Sequence, residues 1–147
     1  MVIGGYDDGG GQSRMELFNV TSRKWSQLEP MPIGRGLHSC GLYQGGVVAA
    51  GGWTEAEDGW NEISHTAVWY DPSSATWTQL NNLKKGRTQF ALEEVGGILT
   101  AIGGFDVSVF RIAVTGGPYI ILQGIYTESI EQLGPDGGNK IISFEKN

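Results

Sequence analysis

Two arginines, Arg35 and Arg87, stand 52 residues apart, each ten residues after a tryptophan, Trp25 and Trp77. A guanidinium is a planar fork of donors that can grip a carboxylate in bidentate fashion. A repeated arginine can equally brace neighbouring elements, and both readings stand at this point. The loop Thr54–Glu62 carries four carboxylates, with Trp53 and Trp60 as its aromatics, a composition that suits a basic partner or a solvated loop. His38 and His65 have no cysteine or carboxylate at the spacing of a metal site. Asp7 and Asp8, beside a run of three glycines, lack the ligand order of a calcium loop and read as a flexible connection. There is no Gly-x-Ser-x-Gly elbow and no phosphate loop ending in lysine. The single Cys40 is expected to be buried in a strand and inert. This inventory points to binding rather than catalysis, with no enzyme activity, metal or cofactor expected.

Charge narrows the partner. The chain has 147 residues, the size of one ordinary domain, and a formal net charge of −6. Nucleic acid and anionic membranes need a basic patch, so neither is expected. One cysteine excludes a disulfide framework and suits a reducing compartment, so a cytoplasmic location is expected. No apolar run reaches the roughly 18 residues of a membrane helix. The first residues, Met1-Val-Ile-Gly-Gly-Tyr, lack the basic and apolar regions of a signal peptide. The sequon Asn19-Val20-Thr21 is therefore read as a turn.

The elements that would hold these residues are short strands. Val47-Val48-Ala49-Ala50 and Ile98-Leu99-Thr100-Ala101-Ile102 are apolar runs ending on Gly51-Gly52 and Gly103-Gly104. A third pair, Gly4-Gly5, stands near the start. Before each run lies another glycine pair, Gly45-Gly46 or Gly96-Gly97. Such pairs suit hairpins, because primed turns need positive φ at both central residues. Ser39–Tyr43 and Phe90–Val95 would be the partner strands. Met15–Phe18 and Ala67–Tyr70 follow as third strands, each ending in a polar turn, of which Asp71-Pro72-Ser73-Ser74 is the clearest. The tryptophan strands Lys24–Ser26 and Thr76–Thr78 come fourth. No stretch shows a helical apolar stripe. The chain reads as all-β, with four-stranded antiparallel sheets (strands a to d) repeating about every 50 residues.

This order of Gly-Gly, an aromatic before Asp or Asn, Trp, Arg and Gly-Gly resembles the kelch motif. Residues 66–104 carry it most fully, through Tyr70-Asp71, Trp77, Arg87 and Gly103-Gly104. Residues 15–52 carry it again, through Phe18-Asn19, Trp25, Arg35 and Gly51-Gly52. The resemblance implies a partial kelch-type β-propeller of about three blades, with Trp25 and Trp77 filling the space between blades. It divides the chain into a partial blade at 1–30 (strands b, c and d), a complete blade at 36–80 and a divergent blade at 87–147. The last contains an inserted hairpin at about 106–126, which is either a genuine loop or an artefact of gene prediction.

In an up-and-down blade the b–c and d–a connections emerge on one face, where binding is expected. In kelch-like substrate adaptors, which this sequence resembles, arginines placed like Arg35 and Arg87 line a central pocket and bind carboxylates. The candidate partner-binding set is Arg35, His38, Arg87, Trp53, Trp60, Glu55 and Asp58. The resemblance implies capture of a protein or peptide, most simply substrate recognition for a cullin-type ubiquitin ligase. An actin-binding cytoskeletal role is the alternative, and a propeller enzyme related to galactose oxidase the remote one. Three blades do not close a ring. The chain is expected to be a piece of a longer protein, or else to pair as a homodimer completing six blades.

Overall fold

The computed structural model describes residues 1–8, 10–55, 61–114, 117–126, 129–133 and 140–143, of which 107–114, 117–126, 129–130 and 140–143 are described by backbone alone. Every described element is a strand. Among the described residues no helix is long and apolar enough to cross a membrane. Trp60 and Asp58 lie outside the described residues.

Blade 1 begins with β1 (Val2–Ile3), then a small hairpin of β2 (Tyr6–Asp7) and β3 (Gly10–Gly11), then β4 (Met15–Asn19) and β5 (Lys24–Leu28). Its sheet has three strands, in the order β1-β4-β5. Blade 2 comprises β6 (Ser39–Tyr43), β7 (Gly46–Ala50), the hairpin β8 (Trp53–Glu55) and β9 (Asn61–Ile63), β10 (Ala67–Asp71) and β11 (Thr76–Gln79). Blade 3 comprises β12 (Ala91–Val95), β13 (Ile98–Ile102), the long hairpin β14 (Phe105–Val114) and β15 (Gly117–Tyr126), β16 (Ser129–Leu133) and β17 (Lys140–Ser143). Blades 2 and 3 are four-stranded and antiparallel, in the orders β6-β7-β10-β11 and β12-β13-β16-β17. The long hairpin thus occupies the same b–c connection that holds β2–β3 and β8–β9. In blade 1 this connection is a short hairpin, not the loop read from Asp7 and Asp8.

Turn chemistry sets the register. The β12–β13 turn is centred on Gly96 (φ 60) and Gly97 (φ 80), as a primed turn requires. The β6–β7 turn is centred one residue earlier than its glycine pair, on Gln44 (φ 47) and Gly45 (φ 77), so Tyr43 pairs with Gly46. Gly46 serves packing instead. A Cβ there would run into the Tyr70 carbonyl and the Trp69 indole. In the polar turn after β10, the Asp71 carboxylate accepts from the backbone N–H and hydroxyl of Ser73 and the hydroxyl of Ser74. These bonds hold its carboxyl below the ordinary carboxylate range.

The cores lie between blades. Tyr43, Val48, Ala50, Ala67, Phe90, Leu92, Leu99, Ala101 and Leu133 pack where blades 2 and 3 meet. Met31, Ala49 and Val68, joined by Ile3 and Trp77, pack where blades 1 and 2 meet. Each fully buried aliphatic side chain contributes about 1.5–3 kcal/mol over its exposed state. Neither face of a thin sheet stays dry alone, so each blade depends on its neighbour.

Two residues depart from expectation for that reason. Trp77 packs between blades, donates its indole N–H to the Glu29 carbonyl at 2.9 Å and lies 5.1 Å from the Tyr70 ring. Trp25 holds the same place in blade 1 and lies tilted against the Phe18 ring at 5.0 Å, yet it is 56% exposed. Cys40 is exposed rather than buried. Its β6 neighbours Ser39 and Tyr43 are buried, and β6 packs against β12. Cys40 and Leu42 lie on the opposite, exposed side of β6.

Candidate functional site

The arginines sit where blades join, and they lie inside. Arg35 and Arg87 are both 0% exposed. Arg35 donates from Nη1 to the carbonyls of Gly51 and Thr66, each at 3.1 Å, and from Nη2 to the Thr66 hydroxyl at 3.0 Å. Arg87 donates from Nη1 to the Gly103 carbonyl at 2.9 Å and from Nη2 to the Glu131 carboxylate at 3.2 Å. Glu131 is also 0% exposed and accepts from the Lys84 backbone N–H as well. The Arg87 guanidinium lies 5.9 Å from the centre of the Phe90 ring. This geometry corrects the carboxylate-binding expectation for Arg35 and Arg87. Their terminal Nη donors engage backbone carbonyls and internal side chains, so they brace each blade at its b–c corner.

The brace repeats in the backbone. Gly5 and Gly52 donate to the carbonyls of Arg35 and Arg87, at 3.0 and 2.9 Å. Gly4 and Gly51 donate to the carbonyls of Arg14 and Thr66, at 2.7 and 2.9 Å. Leu37 and Gln89 both take φ 53, a left-handed kink before strand a that non-glycine residues rarely adopt. Gly51, at φ 65, has no room for a side chain, because a Cβ would strike the Arg87 carbonyl and the Phe90 ring.

Burial without full compensation shifts the charges. Among the described residues no carboxylate pairs with Arg35, and burial pushes its pKa down to about 10. Among the described residues its Nε lacks a hydrogen-bond partner. Arg87 is also lowered by burial, with Glu131 acting against the shift. His38 stands where Phe90 stands one repeat later. Burial, helped by the nearby Arg35 charge, pulls its pKa down to about 4, and its Nδ1 has no partner among the described residues. His38 is therefore a neutral, half-buried packing residue at pH 7.

The outward surface belongs to the connections. Backbone bridges tie Gly36 to Trp53 and Thr88 to Phe105, so d–a and b–c connections share one face. The Asn61 amide donates to the Tyr6 hydroxyl at 2.8 Å and joins the hairpins of blades 1 and 2. On this joined surface Asp7, Asp8, Glu55 and Glu62 are exposed, Trp53 is half-buried and Tyr6 is 54% exposed. His65, Lys84 and Lys85 are exposed on the adjoining connections. The expected residues thus separate into two groups. Trp53 and Glu55 stand on the hairpin face, whereas Arg35, Arg87 and His38 lie beneath it.

The Kelch motif family matches residues 1–32 and 34–84, more than half of the chain. The chain belongs to the kelch-repeat family. Kelch repeats are protein-interaction modules, and the partial propeller described above is their fold. An Arabidopsis thaliana protein named for an F-box and kelch repeats is 30% identical over 105 residues, covering 67% of this chain and 30% of that protein. Kelch-like protein 40 of Xenopus laevis is 28% identical over 92 residues, covering 63% of this chain and 14% of its own length. Alpha-scruin of Limulus polyphemus is 27% identical over 85 residues, covering 56% and 9%. The chain therefore spans less than a third of the length of these kelch relatives. The solved structure of YjhT shares the fold at a TM-score of 0.58 and 19% identity, over 71% of this chain and 34% of that one.

Sequence reasoning missed Glu131. Its only signal was a carboxylate between Ile130 and Leu133 in the short strand-like run Ser129-Ile130-Glu131-Gln132-Leu133. It also missed the left-handed Leu37 and Gln89, whose shared 52-residue offset was visible but whose side chains carry no conformational mark.

Proposed function

We propose that this kelch chain captures a protein partner on its joined hairpin face, as the substrate-recognition portion of a cullin-type ubiquitin ligase adaptor. On this reading the chain is organised as blades at 1–30, 36–80 and 87–147. The observation that carries it is the Tyr6–Asn61 link, which turns separate hairpins into one surface rimmed by Asp7, Asp8, Glu55 and Glu62. With Arg35 and Arg87 committed inside, the exposed charge of this rim is acidic, so the partner segment is basic. Aromatic contacts from Tyr6 and Trp53 supply the apolar part of the grip. The kelch-like and F-box relatives support the adaptor reading by their names alone.

A test is fluorescence polarisation with a labelled lysine-rich decapeptide and its glutamate counterpart. Binding of the basic peptide, weaker in high salt and lost in Glu55→Lys/Glu62→Lys, is expected. Equal binding of both peptides, or none, overturns the reading. Co-isolation of a cullin with the whole protein tests the adaptor role separately. The second reading, an actin-binding kelch protein, would use the outer strands β5 and β11, whose residues are largely exposed. Co-sedimentation with actin filaments that survives the Glu55→Lys/Glu62→Lys change favours it.

A further inference from the structure

The b–c connection of blade 3 is built on a different scale from that of blade 2. β8 and β9 have three residues each, whereas β14 and β15 have ten. At about 3.4 Å per residue the long hairpin runs for about 30 Å. Its register is unbroken from the pair Phe105–Tyr126 to the pair Val114–Gly117. It is set between β13 and β16, inside blade 3, and forms a sheet of two strands. Among the described residues, neither strand has a second neighbouring strand.

The two outer edges differ. Phe105 donates its backbone N–H to the Thr88 carbonyl at 2.8 Å and accepts from the Thr88 N–H at 3.0 Å. Its backbone groups therefore point away from β15. In an antiparallel ladder that direction recurs at every second residue. The backbone groups of Val107, Val109, Arg111 and Ala113 thus share this open side of β14. On β15 the residue paired with Ala113 is Pro118, whose backbone also points outward. Proline has no N–H, so the edge of β15 is blunted and the edge of β14 is not. Charge guards neither, since Asp106 and Arg111 are the only charged residues of the two strands.

A second copy of β14 matches this edge in one register. About a two-fold axis, antiparallel strands set one residue opposite itself. With Phe110 on the axis, Val107 pairs with the second copy's Ala113 and Val109 with its Arg111, so all four open residues are bonded. An axis at Val109 sets Ala113 against Phe105, whose backbone Thr88 already holds. An axis at Arg111 places like charges directly opposite each other, which is destabilising. Axes at Ser108 or Ile112 leave more of the edge unpaired.

We propose that β14 is a self-recognition edge. Two copies of this chain join along Val107–Ala113, with Phe110 opposite its own copy, into one sheet of order β15-β14-β14-β15. The outer edges of that sheet each carry Pro118, so addition stops at two chains. The edge is separate from the acidic rim of blades 1 and 2, and it stands whether or not that rim binds a partner.

Light scattering of the full chain after size exclusion should give a mass near twice 15.8 kDa at tens of micromolar. Val109→Pro removes an outward N–H that takes no part in the β14–β15 ladder, and should weaken the dimer about tenfold or more. Glu55→Lys/Glu62→Lys should leave the mass unchanged. Cross-linking reads the register. In a Cys40→Ser background, Phe110→Cys should oxidise to a covalent dimer, because closely spaced cross-strand pairs suit a disulfide. Ser108→Cys and Ile112→Cys should each give no covalent dimer alone and should cross-link when mixed, a comparison that keeps Phe110 intact. A mass of one chain at every concentration overturns the proposal and frees the edge for a different polypeptide. A dimer indifferent to Val109→Pro, equal cross-linking at all three positions, or open-ended larger species overturn it as well.

Discussion

At the residue scale, the chain treats charge as an internal fastener. Arg87 has a buried carboxylate and Arg35 a neutral threonine, although both hold the same corner. Removing one partner of a buried ion pair strands the other charge, at a cost of about 3–5 kcal/mol. Glu131→Leu should therefore cost about that much, and more than Thr66→Val, which removes one accepting hydroxyl at about 1–3 kcal/mol. Urea midpoints of the two variants check the order. His38 sets a pH dependence. Its pKa falls from 6.5 to about 4 on folding, so the folded state binds fewer protons. The stability tied to this is full above pH 6.5 and is lost as pH falls from there through about 4, up to about 3 kcal/mol. Replacing His38 with phenylalanine, the residue found one repeat later, should flatten stability between pH 7 and pH 4.5. Urea unfolding at the two pH values measures it, and an unchanged slope would deny the shift.

At the element scale, the strands and their order were legible because alternation, glycine pairs and the 52-residue offset all agreed. Ser39–Tyr43 and Ile98–Ile102 fall where the pattern put them. The small hairpins β2–β3 and β8–β9 were not legible, since two- and three-residue strands have no period to read. Nor was the orientation of the arginines. Spacing shows that Arg35 and Arg87 are equivalent, but the direction of a long side chain is decided by contacts such as the Gly51 carbonyl, 16 residues away in sequence. Trp25 and Cys40 were misjudged because burial in a blade depends on the neighbouring blade, which a residue's own strand does not encode. Gly51 is a tight point of the inter-blade joint, with φ 65 and the Arg87 carbonyl and Phe90 ring against it. Gly51→Ala should cost about 2–4 kcal/mol through strain and overpacking together. An equal substitution at Gly45, which has open space around it, should cost less, near the 1 kcal/mol or so of a left-handed alanine. Thermal unfolding compares the pair.

At the scale of the whole molecule, each brace ties a d–a connection to the b–c corner of the blade it enters, and backbone bonds from Gly5 and Gly52 tie successive corners together. Stability in such an array is carried by joints between units rather than by any one sheet. The hairpin face proposed to bind a partner is then free to vary, because the residues that hold the blades lie under it. This division of labour between buried arginine and exposed hairpin is the central claim, and it is tested most directly by urea unfolding of the full chain carrying Arg35→Ala and Arg87→Ala. Loss of two buried braces predicts a large fall in the midpoint, with each site costing about 3 kcal/mol or more. A midpoint equal to that of the unaltered chain would contradict the account and return both arginines to the binding surface.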